Sequence, residues 1–185
     1  RTSLLHRLRA VTTTQAMLSG TLLNSVFDLL AAHPERSDTE IKESAARGRA
    51  LSLASLASQG IDIQEIIERA STYLPAMRSA LEHWGPADVT VEPYVISPLL
   101  GFQGRFDILV TDASTSRIIE MKGGSPPRSG VRPSHLAQAA AYALLHVMTT
   151  GSVPNETSLW YVTDQNAPFR TVPTATILSV GPEII

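Results

Sequence analysis

The chain contains no cysteine among its 185 residues. Disulfides and thiolate metal sites are therefore excluded within it, and an intracellular setting is expected, cytoplasmic in a bacterium or nuclear in a eukaryote. No apolar run approaches the ~20 residues of a membrane-spanning helix, so a membrane is not an expected partner. No secretory leader is legible at the start. The first residue is Arg1 rather than Met, and we expect a longer parent chain. The net charge of −2 lacks the strongly basic balance of a bulk nucleic-acid binder. That is a weak objection to such a role, because a carboxylate site offsets a local basic groove in the total. Lysine is scarce: of 15 cationic side chains only Lys42 and Lys122 are lysines. A single lysine in the second half, two residues after a glutamate, stands out.

What is present suits one domain with a real core: the hydrophobic content is 43% and no internal repeat or low-complexity tract interrupts it. We expect a single domain over 1–185, with 1–86 mainly helical and 87–185 a sheet-bearing core. Residues 13–32 have helical apolar spacing, stopped by His33-Pro34. Asp38 can cap a second helix running to about Ser58, and Gln59-Gly60 ends it. Asp62, with Glu65 as a capping box, starts a third that reaches Trp84 with a kink at Pro75. The texture then changes. Residues 88–96, 102–111 and 116–122 read as strands, with Asp112 to Thr115 a hairpin turn. Residues 123–133 form a Gly/Pro-rich loop. Ser134 caps a helix to about Met148, and 159–162 and 171–180 read as further strands. This is an α/β pattern: a mixed central sheet flanked by helices, preceded by a helical region.

The chemistry concentrates in Gly104-Arg105-Phe106-Asp107, Glu120-Met121-Lys122 and Gln138-x-x-x-Tyr142. Side chains alternate along a strand, so Ile118, Glu120 and Lys122 share one face. The hairpin brings the Asp107 strand alongside, and Asp107 can lie beside Glu120. Two adjacent carboxylates repel, and a hard cation such as Mg²⁺ relieves the repulsion through oxygen ligands. The Met121 carbonyl can supply another oxygen, and Lys122 is placed to position a water or neutralise developing charge. The alternative is a pair of solvated strand residues. The apolar neighbours Phe106, Ile108, Ile118 and Ile119 argue against it. Gln138 and Tyr142 share a helix face with His135, presenting an amide, a hydroxyl and an imidazole; a half-buried packing role for Tyr142 is the alternative.

With these motifs in order, the chain resembles the PD-(D/E)XK nuclease superfamily, specifically its RecB-type branch. It looks closest to the nuclease domain of flap-processing replication helicase–nucleases of the Dna-two type. The resemblance is carried by residues 16–27, Tyr73-Leu-Pro75, residues 96–107, Glu120-Met-Lys122 and His135-x-x-Gln138-x-x-x-Tyr142. It implies a restriction-endonuclease-like fold and Mg²⁺- or Mn²⁺-dependent hydrolysis of DNA phosphodiesters, on single-stranded or flap DNA in replication, repair or recombination. By position, Asp107 and Glu120 would be metal ligands and Lys122 the catalytic lysine. Gln138 and Tyr142 would contact DNA, with His135 and Arg105 as neighbouring contacts and Glu92 a weaker candidate. A helicase domain in a longer parent would be a natural partner.

Two departures qualify the likeness. The family's first helix usually carries a metal-binding His in a Gly-x-x-x-His pattern, whereas here Gly20 is followed by Asn24. Asn24 is either a weaker oxygen ligand or a residue with no metal role. Many relatives also hold an iron–sulfur cluster on four cysteines, and this chain has no ligand for one. The alternatives are a catalytically weakened nuclease-fold module for DNA binding or scaffolding, and a CRISPR-adaptation type exonuclease.

Other residues have plainer expectations. Arg1, His6, Arg7 and Arg9 read as a solvated helix, with contact to DNA phosphates as the alternative. His33, His83 and His146 read as helix-end residues, and Trp84 and Trp160 as core. Arg128 and Arg132 could meet phosphate.

Overall fold

The computed structural model describes residues 14–177 apart from 86, 100 and 176. The basic start of the chain lies outside them. Helix α1 (Gln15–Ala32) begins where the Thr14 hydroxyl accepts the Met17 N–H. Its Leu18, Leu22, Val26 and Leu30 recur about once per turn, and all are buried. Helix α2 (Asp38–Gly48) opens on a complete capping box of Ser37 and Glu40, so the cap is Ser37 and not Asp38. The expected run to Ser58 is broken at Arg49, whose φ of −118° leaves the helical region, and α3 (Ala50–Ala57) follows. Asp62 caps α4 (Ile63–Ser71) by accepting the Glu65 N–H, as expected, but no reciprocal bond from Glu65 completes a box among the described residues. Pro75 does more than kink the third helix. It lacks the N–H that would reach back to Ser71, so the helix ends there and α5 (Leu74–Trp84) restarts with the proline in its first turn.

The sheet is built from β1 (Asp88–Val91), β4 (Ile108–Thr111), β5 (Ser116–Lys122), β6 (Glu156–Tyr161) and β7 (Phe169–Thr171), in the order β1-β4-β5-β6-β7. Among the described residues only the β5–β6 pair is parallel. Parallel neighbours need a long crossover, and helix α6 (Pro133–Thr150) supplies it. Strands β2 (Tyr94–Ser97) and β3 (Phe102–Arg105) form a separate ribbon. The single strands expected over 88–96 and 102–111 are thus each interrupted, because Pro93 donates no ladder bond. The register nonetheless carries through. Val91 pairs with Ile108 and Tyr94 with Arg105, so Glu92 falls opposite Asp107. The Glu92 N–H donates to the Asp107 carbonyl at 2.9 Å, and the Phe106 N–H to Pro93 at 3.2 Å.

Helices α1–α5 cover one face of the sheet and share a single apolar core with it, in which Phe27, Trp84 and Trp160 meet edge-on at 5.7–6.1 Å. Both tryptophans pack as expected. The opposite face carries α6, whose Ala139, Ala140 and Ala143 lie against Leu159, Tyr161 and Val172. Its Leu145 meets Phe106 and Ile118. Helix α6 starts at Pro133 with Arg132 at the cap position, two residues before the expected cap Ser134. His146 is not an end residue: it is buried and bonds the Ser116 hydroxyl at 3.1 Å. The strand expected over 171–180 stops at Thr171, since Pro173 follows, and the Ile177 N–H closes a helical turn onto the Pro173 carbonyl. Residues 178–180 lie outside the described ones. No helix among the described residues is long and apolar enough to cross a membrane.

Candidate active site

Strand β5 is covered on both sides, and its residues 118–121 are all buried. Glu120 sits within it at 4% exposure, a charge on a strand otherwise committed to packing. Asp107 arrives beside it because β4 pairs with β5 in a register that sets residue 107 across from 120. The main chain of Met121 joins the site as a donor, its N–H reaching Asp107 Oδ2 at 2.7 Å.

Lys122, two residues along the same face, donates to Glu120 Oε1 at 2.8 Å and to Gln138 Oε1 at 2.9 Å. Gln138 Nε2 donates to Glu120 Oε1 at 2.5 Å and to the Tyr142 hydroxyl at 3.2 Å. The amide faces this way because the Lys122 ammonium has no lone pair and needs the Gln138 oxygen as acceptor. Gln138 and Tyr142 are one turn apart on α6, which explains their shared face. Helix α6 comes close because residue 104 is glycine. A Cβ there would stand 3.1 Å from both Leu145 Cδ2 and Tyr142 Cε1. The Tyr142 ring then packs on Phe106 at 5.1 Å between centroids.

From the other side, α1 delivers Asn24. Its Nδ2 donates to Asp107 Oδ1 at 3.1 Å and to Glu92 Oε1 at 3.4 Å. Glu92 therefore belongs to the cluster, although its sequence context marks it only as a weaker candidate. Its φ of 52° puts a non-glycine residue in the left-handed region, a cost of about 1–2 kcal/mol that clusters at functional sites. The signal that could have raised it is Pro93 together with the through-running register, which needs the strand pairing to be known. Arg105 pairs with Glu92 at 3.2 Å and is more than half exposed. His135 is held elsewhere: its Nδ1 lies 2.8 Å from the hydroxyl of the buried Tyr161, and burial with the nearby Lys122 charge lowers its pKa. Arg132 bonds the Ser125 carbonyl, and Arg128 lies exposed in the loop.

The electrostatics are those of an under-neutralised acid pair. Burial, and then the Asp107 charge, push Glu120 from its ordinary 4.5 up to about 7. That difference corresponds to about 3 kcal/mol held against the ionised form. Burial raises Asp107 as well, against the pull of the Met121 N–H and Lys122. Burial raises the Tyr142 hydroxyl too, which keeps its proton at neutral pH. Glu120 Oε2 is buried with no hydrogen-bond partner. No group of three or more His, Asp or Glu among the described residues forms a metal cage. The donor set is instead two carboxylates, one with a spare oxygen, beside an amide and a main-chain segment. This suits a Mg²⁺-like ion, which takes few carboxylates and fills its shell with water and phosphate oxygens.

A family profile described as the PD-(D/E)XK nuclease superfamily matches residues 3–180. The chain belongs to the PD-(D/E)XK nuclease superfamily. Membership carries a coarse activity, hydrolysis of phosphodiesters, and nucleases of this superfamily generally use divalent metal ions. The crystal structure of a protein from Eubacterium rectale, described as a candidate exonuclease, overlays with a TM-score of 0.63 at 12% identity. That overlay covers 97% of this chain and 67% of the other, and shows the shared fold. A second structure, SSO0001, is 17% identical over 91% of this chain and 85% of its own, with a TM-score of 0.36. No curated protein matches. The mixed sheet flanked by helices is the fold class expected from the sequence.

Proposed function

We propose that the protein is a Mg²⁺- or Mn²⁺-dependent deoxyribonuclease acting on single-stranded or flap DNA, in the service of replication, repair or recombination. The observation that carries this reading is Glu120: one oxygen is held by Lys122 and Gln138, and the other is buried, unpartnered and beside Asp107. Asp107 and Glu120 would hold the ion, with the Met121 carbonyl offering a further oxygen and Asn24 another once its amide turns its oxygen, in place of Nδ2, toward the acids. When bound, the ion polarises the scissile phosphate and lowers the pKa of a water.

The remaining roles belong to the chain's own groups. An ammonium has three protons and Lys122 spends two on Glu120 and Gln138, so the third can orient the attacking water or meet a phosphate oxygen. The Tyr142 hydroxyl accepts from Gln138 and keeps its own proton for a phosphate oxygen. Gln138 locks Lys122, Glu120 and Tyr142 into one geometry. Arg105 and His135 stand at the edges, each already engaged, as secondary DNA contacts. The resemblance to the Eubacterium rectale protein supports the nuclease reading.

One observation favours a weakened DNA-binding module instead. Asn24 donates its amide into Asp107 and Glu92 from the helix position where the family usually presents an imidazole ligand. The test is to incubate the protein with labelled single-stranded and 5′-flap DNA in Mg²⁺ or Mn²⁺, beside Lys122→Ala. Metal-dependent cutting that the variant loses supports the nuclease. Binding without cutting by either protein supports the module, and Asn24→His should then restore cleavage.

A further inference from the structure

We infer that the cleft between α1, α4 and the Gly123-Gly124 turn is a subsite for the nucleotide beside the scissile phosphate, with Tyr73 stacking its base and Arg69 meeting its phosphate. This rests on the nuclease reading and extends it to residues outside the catalytic cluster.

The cleft has a volume of about 450 Å³. Its floor is apolar and buried, formed by Leu23, Ile66 and Ala70. Its wall is polar and aromatic, with Ser19 on α1, Arg69 on α4 and Tyr73 between α4 and α5. The place of the cleft ties it to the site. Gly123 directly follows Lys122, and Gly20 is one helical turn before Asn24. The elements that carry Asn24 and Lys122 into the site thus also wall the cleft. The rim is bare, with nothing within 4 Å of where a Cβ would sit on Gly20 or Gly124.

The wall chemistry selects the occupant. Arg69 is exposed, and its guanidinium makes no ion pair or hydrogen bond among the described residues, although its neighbours Lys42 and Glu68 pair with each other. The Tyr73 hydroxyl is likewise without a hydrogen bond among the described residues, and its ring is half-buried against the core. A free guanidinium above an apolar floor with one aromatic face suits a ligand that is both anionic and flat. A nucleotide is both, and stacking on an aromatic ring tolerates any base. An acyl chain would leave Arg69 unused, and a bare phosphate would leave Tyr73 unused.

The test is binding of a short labelled single strand with Ca²⁺ replacing Mg²⁺ to hold off cutting, with one abasic position moved stepwise along the strand. One position should weaken binding by wild type about tenfold. Tyr73→Ala should lose that step and Tyr73→Phe should keep it. Arg69→Ala should weaken every strand alike and lower the slope of log affinity against log salt by about one. A flat scan in wild type, or an undiminished step in Tyr73→Ala, overturns the subsite. Should Tyr73→Ala fail to fold, the exposed Arg69 decides: unchanged affinity and salt slope overturn it. A flat scan in a protein that cuts DNA removes only the subsite. A Tyr73-dependent step in a protein that cuts nothing removes only the nuclease reading.

Discussion

Strand β5 shows two ways of using a buried residue. On one face the side chains of Ile119 and Met121 join the large apolar core beneath the N-terminal helices. On the other face Ile118 packs against Leu145, and then Glu120 and Lys122 replace packing with a polar network. The first face stabilises the fold by removing apolar area from water. The second stores a buried, partly unsatisfied charge at some cost to stability. The site can carry that cost because the opposite face of the same strand is so well packed.

Substitutions on the two faces should therefore separate cleavage from stability. The largest expected effect is on chemistry: Lys122→Ala should slow metal-dependent cleavage by about a thousandfold, with a far smaller fall in the thermal midpoint as the buried acids lose their nearest cation. Steady-state cleavage and a melting scan on one preparation would show both. Trp160→Ala, on the core face, should do the reverse. Loss of the ring against Phe27 and Trp84 should cost about 3–5 kcal/mol in denaturant titration, with any cleavage loss following the unfolded fraction.

The third prediction concerns pH. The folded-state pKa of Glu120 lies above its ordinary value, so the stabilisation from its protonation is full below about 4.5 and lost as pH rises through about 7. Metal-free protein should thus lose stability across that window, and Glu120→Gln should flatten the loss and abolish cleavage. A wild-type pH profile without such a slope would count against a strained acid pair. Cleavage at limiting metal should rise through the same window, because the ion needs the ionised carboxylates. The smallest effect is expected from Gly104→Ala. The added methyl meets Tyr142 and Leu145, which should cost about 1–3 kcal/mol. Cleavage should fall further than stability does, since Tyr142 anchors Gln138.

Much of this arrangement was legible where the physics is local. The β5 boundaries and the Asp112 turn came from strand alternation and turn chemistry. The turn is closed by the Asp112 carboxylate accepting the Ser114 and Thr115 N–H groups, a bond within the motif itself. The meeting of Asp107 with Glu120 followed from that hairpin. What escaped was set by groups distant in sequence or by single backbone breaks. Arg49 and Pro75 end helices whose apolar spacing runs on. Pro173 ends β7 in a stretch that otherwise suits a strand. Glu92 acquires its place only through the strand it opposes. His135 has the spacing of a site residue, but Tyr161 claims it.

The unbroken register between β1–β2 and β3–β4 has a consequence for how the site comes into being. Glu92, Asp107, Glu120 and Lys122 all lie within residues 92–122, on strands joined by hairpins. Hairpins close in microseconds, whereas pairing β5 with β6 must wait for the α6 crossover. The acids thus gather early, in a segment whose neighbours in space are also neighbours in sequence. Asn24 and Gln138, which come from distant helices, then fix how those acids are held.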